Sequence, residues 1–238
     1  MPAPLLLLHG ALGTSAQLAP LATALAGALA DVPRDVQLPE FAGHGTSPPD
    51  ANPWQLRIEA LGERLVARLD AHGIGAARAF GYSMGGYVAL WLARHHPARV
   101  ERVMTLGTRL TWQPAQAARE AAMLDVATMR AKVPAFAQRL AGAHTAMGWE
   151  ALVSATAEMM TWMGEHAPLT EGDFRAIPHP VRLVVGDRDA TVSVDECALV
   201  RSWLPLGELE VLPRTPHPFE RVPLERLAAS VRDFLLSD

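Results

Sequence analysis

The sequence predicts an α/β protein: a mostly parallel sheet of about six strands, flanked by helices and interrupted by a helical insertion. Three observations carry this. Short apolar runs alternate with helical stretches at both ends of the chain, as right-handed crossovers between parallel strands require. Each run ends in a glycine or polar turn. The alternation lapses from about residue 110 to 175, where the chain is rich in Ala, Met and Trp and offers no convincing strand.

The elements follow in order. "PLLLLHG" (4–10) is a continuous apolar run closed by a glycine, the pattern of a strand buried on both faces. A helix is expected around Ala16–Ala30, and "RDVQLPEF" is expected to form a second strand that runs into "AGHGTSPPD". Trp54–His72 is a helix with Leu56, Leu61, Leu65 and Leu69 along one stripe. "ARAFGYS" is a strand, "MGGYVALWLARHHP" a helix stopped by Pro97, and "VERVMTLGT" a strand. After the insertion come the strand "HPVRLVVGDRD", the helix "SVDECALVRSWLP", the strand "GELEVLPR" and the helix "PLERLAASVRDFLLS". With no internal repeat or low-complexity linker, residues 1–238 read as one domain, with core 1–109 and 176–238 and an inserted helical cap at about 110–175.

Composition narrows the function. Half the residues are apolar and 19% are charged, which describes a globular chain. The net charge of −4, without a Lys/Arg-rich patch, points away from nucleic acid. Cys197 is the only cysteine, so there is no internal disulfide and no cysteine-based zinc site; in an amphipathic stretch it reads as a small buried thiol. The first apolar run has no basic region before it and is too short for a signal peptide or a membrane span, so the protein is expected to be cytoplasmic.

Ligands of a parallel sheet collect beyond the carboxyl ends of its strands, where this chain places "HGALG", "GHGTS", "GYSMGG", "GDRD" and "TPHPFE". "GYSMGG" is G-x-S-x-G between a strand and a helix, the setting of a nucleophile elbow; a glycine-rich turn without chemistry is the competing reading. Ser83 sits where the next helix begins, so the Met84 N–H can donate to an oxyanion. A serine needs a base. Of nine histidines, His95 and His96 suit a helix C-terminus, His72 a helix cap, and His144, His166 and His179 carry no metal-like or catalytic pattern. His217 follows the last strand at the same edge, where it can reach Ser83. The acid that fixes a base's tautomer can be Asp187 or Asp189, both directly after a strand. The order is then Ser…Asp…His.

On these residues the chain resembles the α/β-hydrolase superfamily over nearly all its length except the insertion. "LLHG" followed by Ala11, "GHGTS", "GYSMGG" and "VVGDRD…TPHPFE" agree with it in order and spacing. The resemblance selects Asp189, the last residue of the G-x-x-D turn, as the acid of a Ser83–Asp189–His217 triad. It implies the backbone N–H groups of Ala11 and Met84 as oxyanion donors, and structural roles for His9 and His44. Three departures stand out. The family's N-terminal two-strand hairpin has no counterpart, the glycine before the catalytic histidine is replaced by Pro216 with Pro218 beyond it, and Tyr87 stands four residues after the serine.

The expected reaction is hydrolysis of carboxylic esters of small to medium, largely apolar substrates through an acyl-enzyme, with no cofactor and no metal. The insertion holds six of the nine methionines and three of the six tryptophans and is expected to cover Ser83. Tyr82, Tyr87, Arg109, Trp112, Trp149, Met159, Trp162 and Met163 are the candidate substrate contacts. The expected partner is a small-molecule ester, with neither nucleic acid nor membrane involved. Four other readings share the motifs: a carbon–carbon bond hydrolase, an enol-lactonase, a lyase similar to the menaquinone-pathway cyclohexadiene-carboxylate synthase, and a ligand-binding relative without catalysis. In that lyase an arginine is expected where Tyr87 stands.

Overall fold

A computed structural model describes residues 3–26, 35–50 and 56–236. Strand β1 (Leu5–Leu8) has all four leucines buried. Leu5 and Leu7 pack into one core layer, Leu6 and Leu8 into the other, because successive strand side chains point to opposite faces. Fully burying a leucine contributes about 1.5–3 kcal/mol, so this run anchors both layers. Helix α1 (Ser15–Ala26) covers one face, and residues 27–30 of the expected helix lie outside the described residues. Strand β2 is only Val36–Gln37, since Pro39 lacks the N–H that would extend the ladder. Helix α2 (Ile58–Ala71) buries Ile58, Leu61, Leu65 and Leu69; its expected beginning at Trp54 is also outside the described residues.

Strand β3 (Ala77–Tyr82), helix α3 (Met84–His95) and strand β4 (Val100–Leu106) form the centre. Every residue of α3 from Met84 to Ala93 is buried, as expected of a helix that is apolar all round. Five helices then intervene: α4 (Pro114–Ala121), α5 (Val126–Lys132), α6 (Pro134–Ala143), α7 (Trp149–Glu165) and α8 (Glu171–Arg175). Strand β5 (Val181–Gly186), helix α9 (Val194–Trp203), strand β6 (Gly207–Leu212) and helix α10 (Leu224–Val231), which continues as a π-helical turn (Arg232–Leu236), complete the chain.

The sheet has six strands in the order β2-β1-β3-β4-β5-β6, and every pairing is parallel. Helices α1 and α10 pack on one face; α2, α3 and α9 pack on the other. Parallel pairing brings all the carboxyl ends to one edge. In register terms Leu8 pairs with Gly81, Tyr82 with Leu106, Leu106 with Val184 and Gly186 with Leu212. The residues that follow these strands therefore meet there.

The insertion is tied to the core at specific points. The Leu169 N–H donates to Tyr87 Oη (3.2 Å), and Arg94 pairs with Asp173 (3.0 Å). His144, which has no sequence pattern of its own, donates from Nε2 to the Leu12 carbonyl (3.0 Å) and accepts from the Gly45 N–H at Nδ1 (2.9 Å). No helix among the described residues is long and apolar enough to cross a membrane.

Candidate active site

Ser83 lies between β3 and α3 with φ 51° and ψ −117°, a conformation that costs a non-glycine residue of order 1–3 kcal/mol. The surroundings hold it there. Its N–H donates to the Leu106 carbonyl (2.8 Å), and its carbonyl accepts from Thr108 Oγ1 (2.9 Å) and the Gly86 N–H (3.0 Å). A Cβ on Gly81 would strike the Gly85–Gly86 peptide, and one on Gly85 would strike the carbonyls of Leu8 and His9. The glycines of "GYSMGG" thus let the elbow lie directly against β1 and the start of α3.

The loop after β1 is shaped by buried neutral histidines. His9 Nδ1–H donates to the Gly10 carbonyl (2.9 Å), and its Nε2 accepts from the Phe41 N–H (3.1 Å). Both ring nitrogens are committed, so His9 has no lone pair to offer a substrate. Burial pushes its pKa down to about 4 and that of His44 to about 3. His44 Nδ1–H donates to the Ala42 carbonyl (3.1 Å). The Gly10 N–H donates to Gln17 Oε1 (3.0 Å), and the Gly10 carbonyl also accepts from Gly13 (3.0 Å). Within this loop the Ala11 N–H has no acceptor among the described residues, and the same holds for the Met84 N–H. Ala11 and Met84 line the same cavity as Ser83.

The two aspartates after β5 separate by geometry. Asp189 Oδ1 accepts from the Thr191 and Val192 N–H groups (2.8 and 2.9 Å), while Oδ2 accepts from His217 Nδ1–H at 2.8 Å. Asp187 Oδ1 instead accepts from the Thr215 N–H (3.1 Å) and fixes the loop that carries His217. The Tyr82 hydroxyl donates to the His217 carbonyl (3.0 Å), so the residue before Ser83 also holds the histidine's backbone. Gly107, at φ 58°, passes beside the pair; a Cβ there would lie 3.2 Å from both Asp189 Oδ2 and His217 Nδ1. With Nδ1–H committed to Asp189, Nε2 of His217 is the nitrogen left for chemistry. His217 and Ser83 line one cavity of about 270 Å³, near the lower limit of about 300 Å³ for small-molecule sites.

A family model described as the alpha/beta hydrolase fold matches residues 3–167. The chain belongs to the α/β-hydrolase family. This α/β-hydrolase is 29% identical over 219 residues to the 2-hydroxymuconate semialdehyde hydrolase of Pseudomonas putida, covering 85% of this chain and 77% of that one. It is 30% identical over 184 residues to 3-oxoadipate enol-lactonase 2 of Acinetobacter baylyi, covering 71% and 67%. Among solved structures, NosK from Streptomyces actuosus aligns with a TM-score of 0.81 at 22% identity, covering 98% of this chain and 97% of that one. At that identity the likeness concerns the fold.

Of the candidate substrate contacts, Tyr82, Tyr87, Arg109, Trp112, Met159 and Met163 line the cavity of this α/β-hydrolase. Trp149 and Trp162 do not, and for them the expectation is corrected. Trp149, at the first turn of α7, packs with the Met129, Leu140 and Val153 cluster under the insertion. Trp162 falls off the α7 stripe of Thr156, Met159, Met160 and Met163, stacks on His166 (3.8 Å) and lies under Arg57 (4.7 Å).

Glu120 is a lining residue that the sequence did not flag; in an alanine-rich helix an isolated carboxylate reads as solvated. It meets Arg109 Nη2 at 2.5 Å, and Arg109 Nη1 lies 3.4 Å from Glu196. Burial raises the Glu120 pKa, with Arg109 opposing. Cys197 is buried and its thiol is pushed up to about 12, which leaves it without nucleophilic character at neutral pH. No cluster of potential metal ligands occurs among the described residues.

Proposed function

We propose that this α/β-hydrolase is a serine hydrolase that cleaves carboxylic esters of small, largely apolar substrates. One observation carries the reading: Ser83, the Asp189–His217 pair and two unclaimed backbone N–H groups converge on a single apolar-walled cavity. Ser83 Oγ attacks the ester carbonyl while His217 Nε2 takes its proton and Asp189 steadies the imidazolium. The Ala11 and Met84 N–H groups hold the tetrahedral oxyanion; each such donor is worth about 2.7–4 kcal/mol in the transition state. His217 then returns the proton to the departing alcohol. In the second half-reaction His217 activates a water that attacks the acyl-Ser83, and the carboxylic acid and free serine are released.

The second reading is enol-lactone or carbon–carbon bond hydrolysis, favoured by the names of the two relatives. An enol-lactone is itself a cyclic ester and runs through the same steps. The lyase reading loses ground at Tyr87, a neutral phenol that accepts from the Leu169 N–H where an anion-binding arginine would be needed.

A panel of p-nitrophenyl esters of increasing acyl length, alongside an enol-lactone and a vinylogous 1,5-diketone, tests the proposal. The expected outcome is turnover of short esters that falls at least a thousandfold in Ser83→Ala. Turnover of the diketone alone would overturn it in favour of carbon–carbon hydrolysis.

A further inference from the structure

The chemistry of Ser83 and His217 leaves a charged pair in the lining of the same cavity unexplained. Arg109 and Glu120 are the only Arg, Lys, Asp or Glu residues among its described lining. Arg109 follows β4 and is 8% exposed; Glu120 comes from α4 in the insertion and is 14% exposed. Their 2.5 Å pairing joins the insertion to the core inside the cavity. A second carboxylate, Glu196 of α9, lies behind the arginine, and its Oε1 is already committed to the Leu110 and Thr111 N–H groups (2.7 and 2.8 Å). Arg109 Nη2 also donates to the Thr191 carbonyl. One buried cation therefore faces two carboxylates, of which only Glu120 lines the cavity.

Two donors beside the pair have no acceptor. Arg109 Nε and Trp112 Nε1 are buried without an acceptor among the described residues, and both side chains line the cavity, with Arg109 Cζ 6.0 Å from the Trp112 ring. Neither donor presents surface to the cavity, so the charge of the cluster, not these two atoms, decides what it accepts. Glu120 and Glu196 together outweigh the arginine's single charge, so the cluster suits an uncharged substrate group. A substrate carboxylate would have to evict Glu120 from Arg109 and leave one buried anion unpaired, which is how an interface rejects a wrong partner.

We propose that Glu120 is a specificity-determining residue: with Glu196 it outweighs the charge of Arg109, so that the cavity takes substrates that are uncharged beside this cluster and rejects those carrying a carboxylate. This rests on the ester-hydrolase reading for its turnover assay, but not for its binding assay. The 2-hydroxymuconate and 3-oxoadipate in the names of the two relatives are carboxylates, so the chain is assigned a different substrate class from theirs.

The experiment compares p-nitrophenyl valerate with mono-p-nitrophenyl glutarate, which share an acyl length and differ by a terminal carboxylate. It runs in the wild type, Glu120→Gln and Arg109→Gln/Glu120→Gln, with folding checked by circular dichroism. The wild type should prefer the valerate at least tenfold in kcat/KM. Glu120→Gln should narrow that ratio at least tenfold, mainly through KM for the glutarate, and the double variant should lose the gain because the cation is gone. In parallel, calorimetric titration with free glutarate should show at least tenfold tighter binding to Glu120→Gln than to the wild type. If no ester is turned over but glutarate binding still separates the proteins, the ester reading falls and the role of Glu120 stands. Equal use of both esters by the wild type, which needs no variant to fold, overturns the proposal. So does an unchanged ratio, or unchanged glutarate binding, in a folded Glu120→Gln protein.

Discussion

The core side of the cavity and the insertion side are held in place differently. On the core side, Ser83, Asp189 and the loop after β1 are fixed by backbone hydrogen bonds and by glycines with no room for a side chain. On the insertion side the wall is Trp112, Met123, Leu124, Thr156, Met159, Met160 and Met163, mostly flexible side chains placed by packing, with Glu120 as the charged exception. Backbone-fixed groups give the sub-ångström placement that chemistry requires. Methionines let substrate shape vary without moving that machinery. On the proposed function, reaction type is written into the core and selectivity into the insertion.

Four changes would break or sharpen this contrast. The largest effect should come from Asp189→Asn, which keeps the shape of the pair but removes the charge that fixes the His217 tautomer. Steady-state kinetics on a short ester should show kcat/KM falling by about 10³–10⁴-fold. A loss under tenfold would remove Asp189 from the machinery.

Next come two glycine substitutions of identical chemistry on the two sides. Gly85→Ala drives a methyl into the carbonyls of Leu8 and His9 and should cost about 3 kcal/mol or more in urea unfolding. Gly142→Ala, in helix α6 with nothing near its Cβ, should stabilise by roughly 0.5–1 kcal/mol. Similar effects at both sites would erase the contrast.

Acid provides the third. Burial lowers the pKa of His9 to about 4 and of His44 to about 3, so both stay neutral in the folded protein while the unfolded chain takes up protons below about 6.5. The unfolded state binds more protons in that window, so stability is full above about pH 6.5 and falls as the pH drops. The slope should approach about 1.4 kcal/mol per pH unit for each histidine until its folded pKa is reached. Urea midpoints measured from pH 7 to pH 4 should fall accordingly, and a flat profile would contradict the neutral assignment.

The smallest effect belongs to the insertion wall. Met160→Ala should enlarge the cavity and move the preferred acyl chain length upward, with changes in kcat/KM of about tenfold or less. An unchanged chain-length profile would take Met160 out of the wall.

How much of this is legible in the sequence follows the same division. The strands and the elbow are readable because "LLLLHG" and "GYSMGG" impose local backbone conditions that few residues satisfy. β2 shrinks to two residues because Pro39 cuts an edge that the apolar pattern alone would extend. Asp187 and Asp189 are alike as turn carboxylates; the family resemblance picks out Asp189, and the folded positions of Thr215 and His217 give each its partner. The insertion is least readable. Trp149 and Trp162 resemble Met159 in composition, but side-chain direction on α7 sends them elsewhere. His144 and Glu120 carry no motif, because their partners Leu12, Gly45 and Arg109 are distant in the chain.

The central claim is that Ser83 is an activated nucleophile, and labelling with a fluorophosphonate probe followed by peptide mass spectrometry tests it most directly. One covalent adduct is expected, on Ser83, lost in Ser83→Ala and strongly slowed in His217→Ala. A folded wild-type protein that takes no label, or takes it elsewhere, would contradict the account.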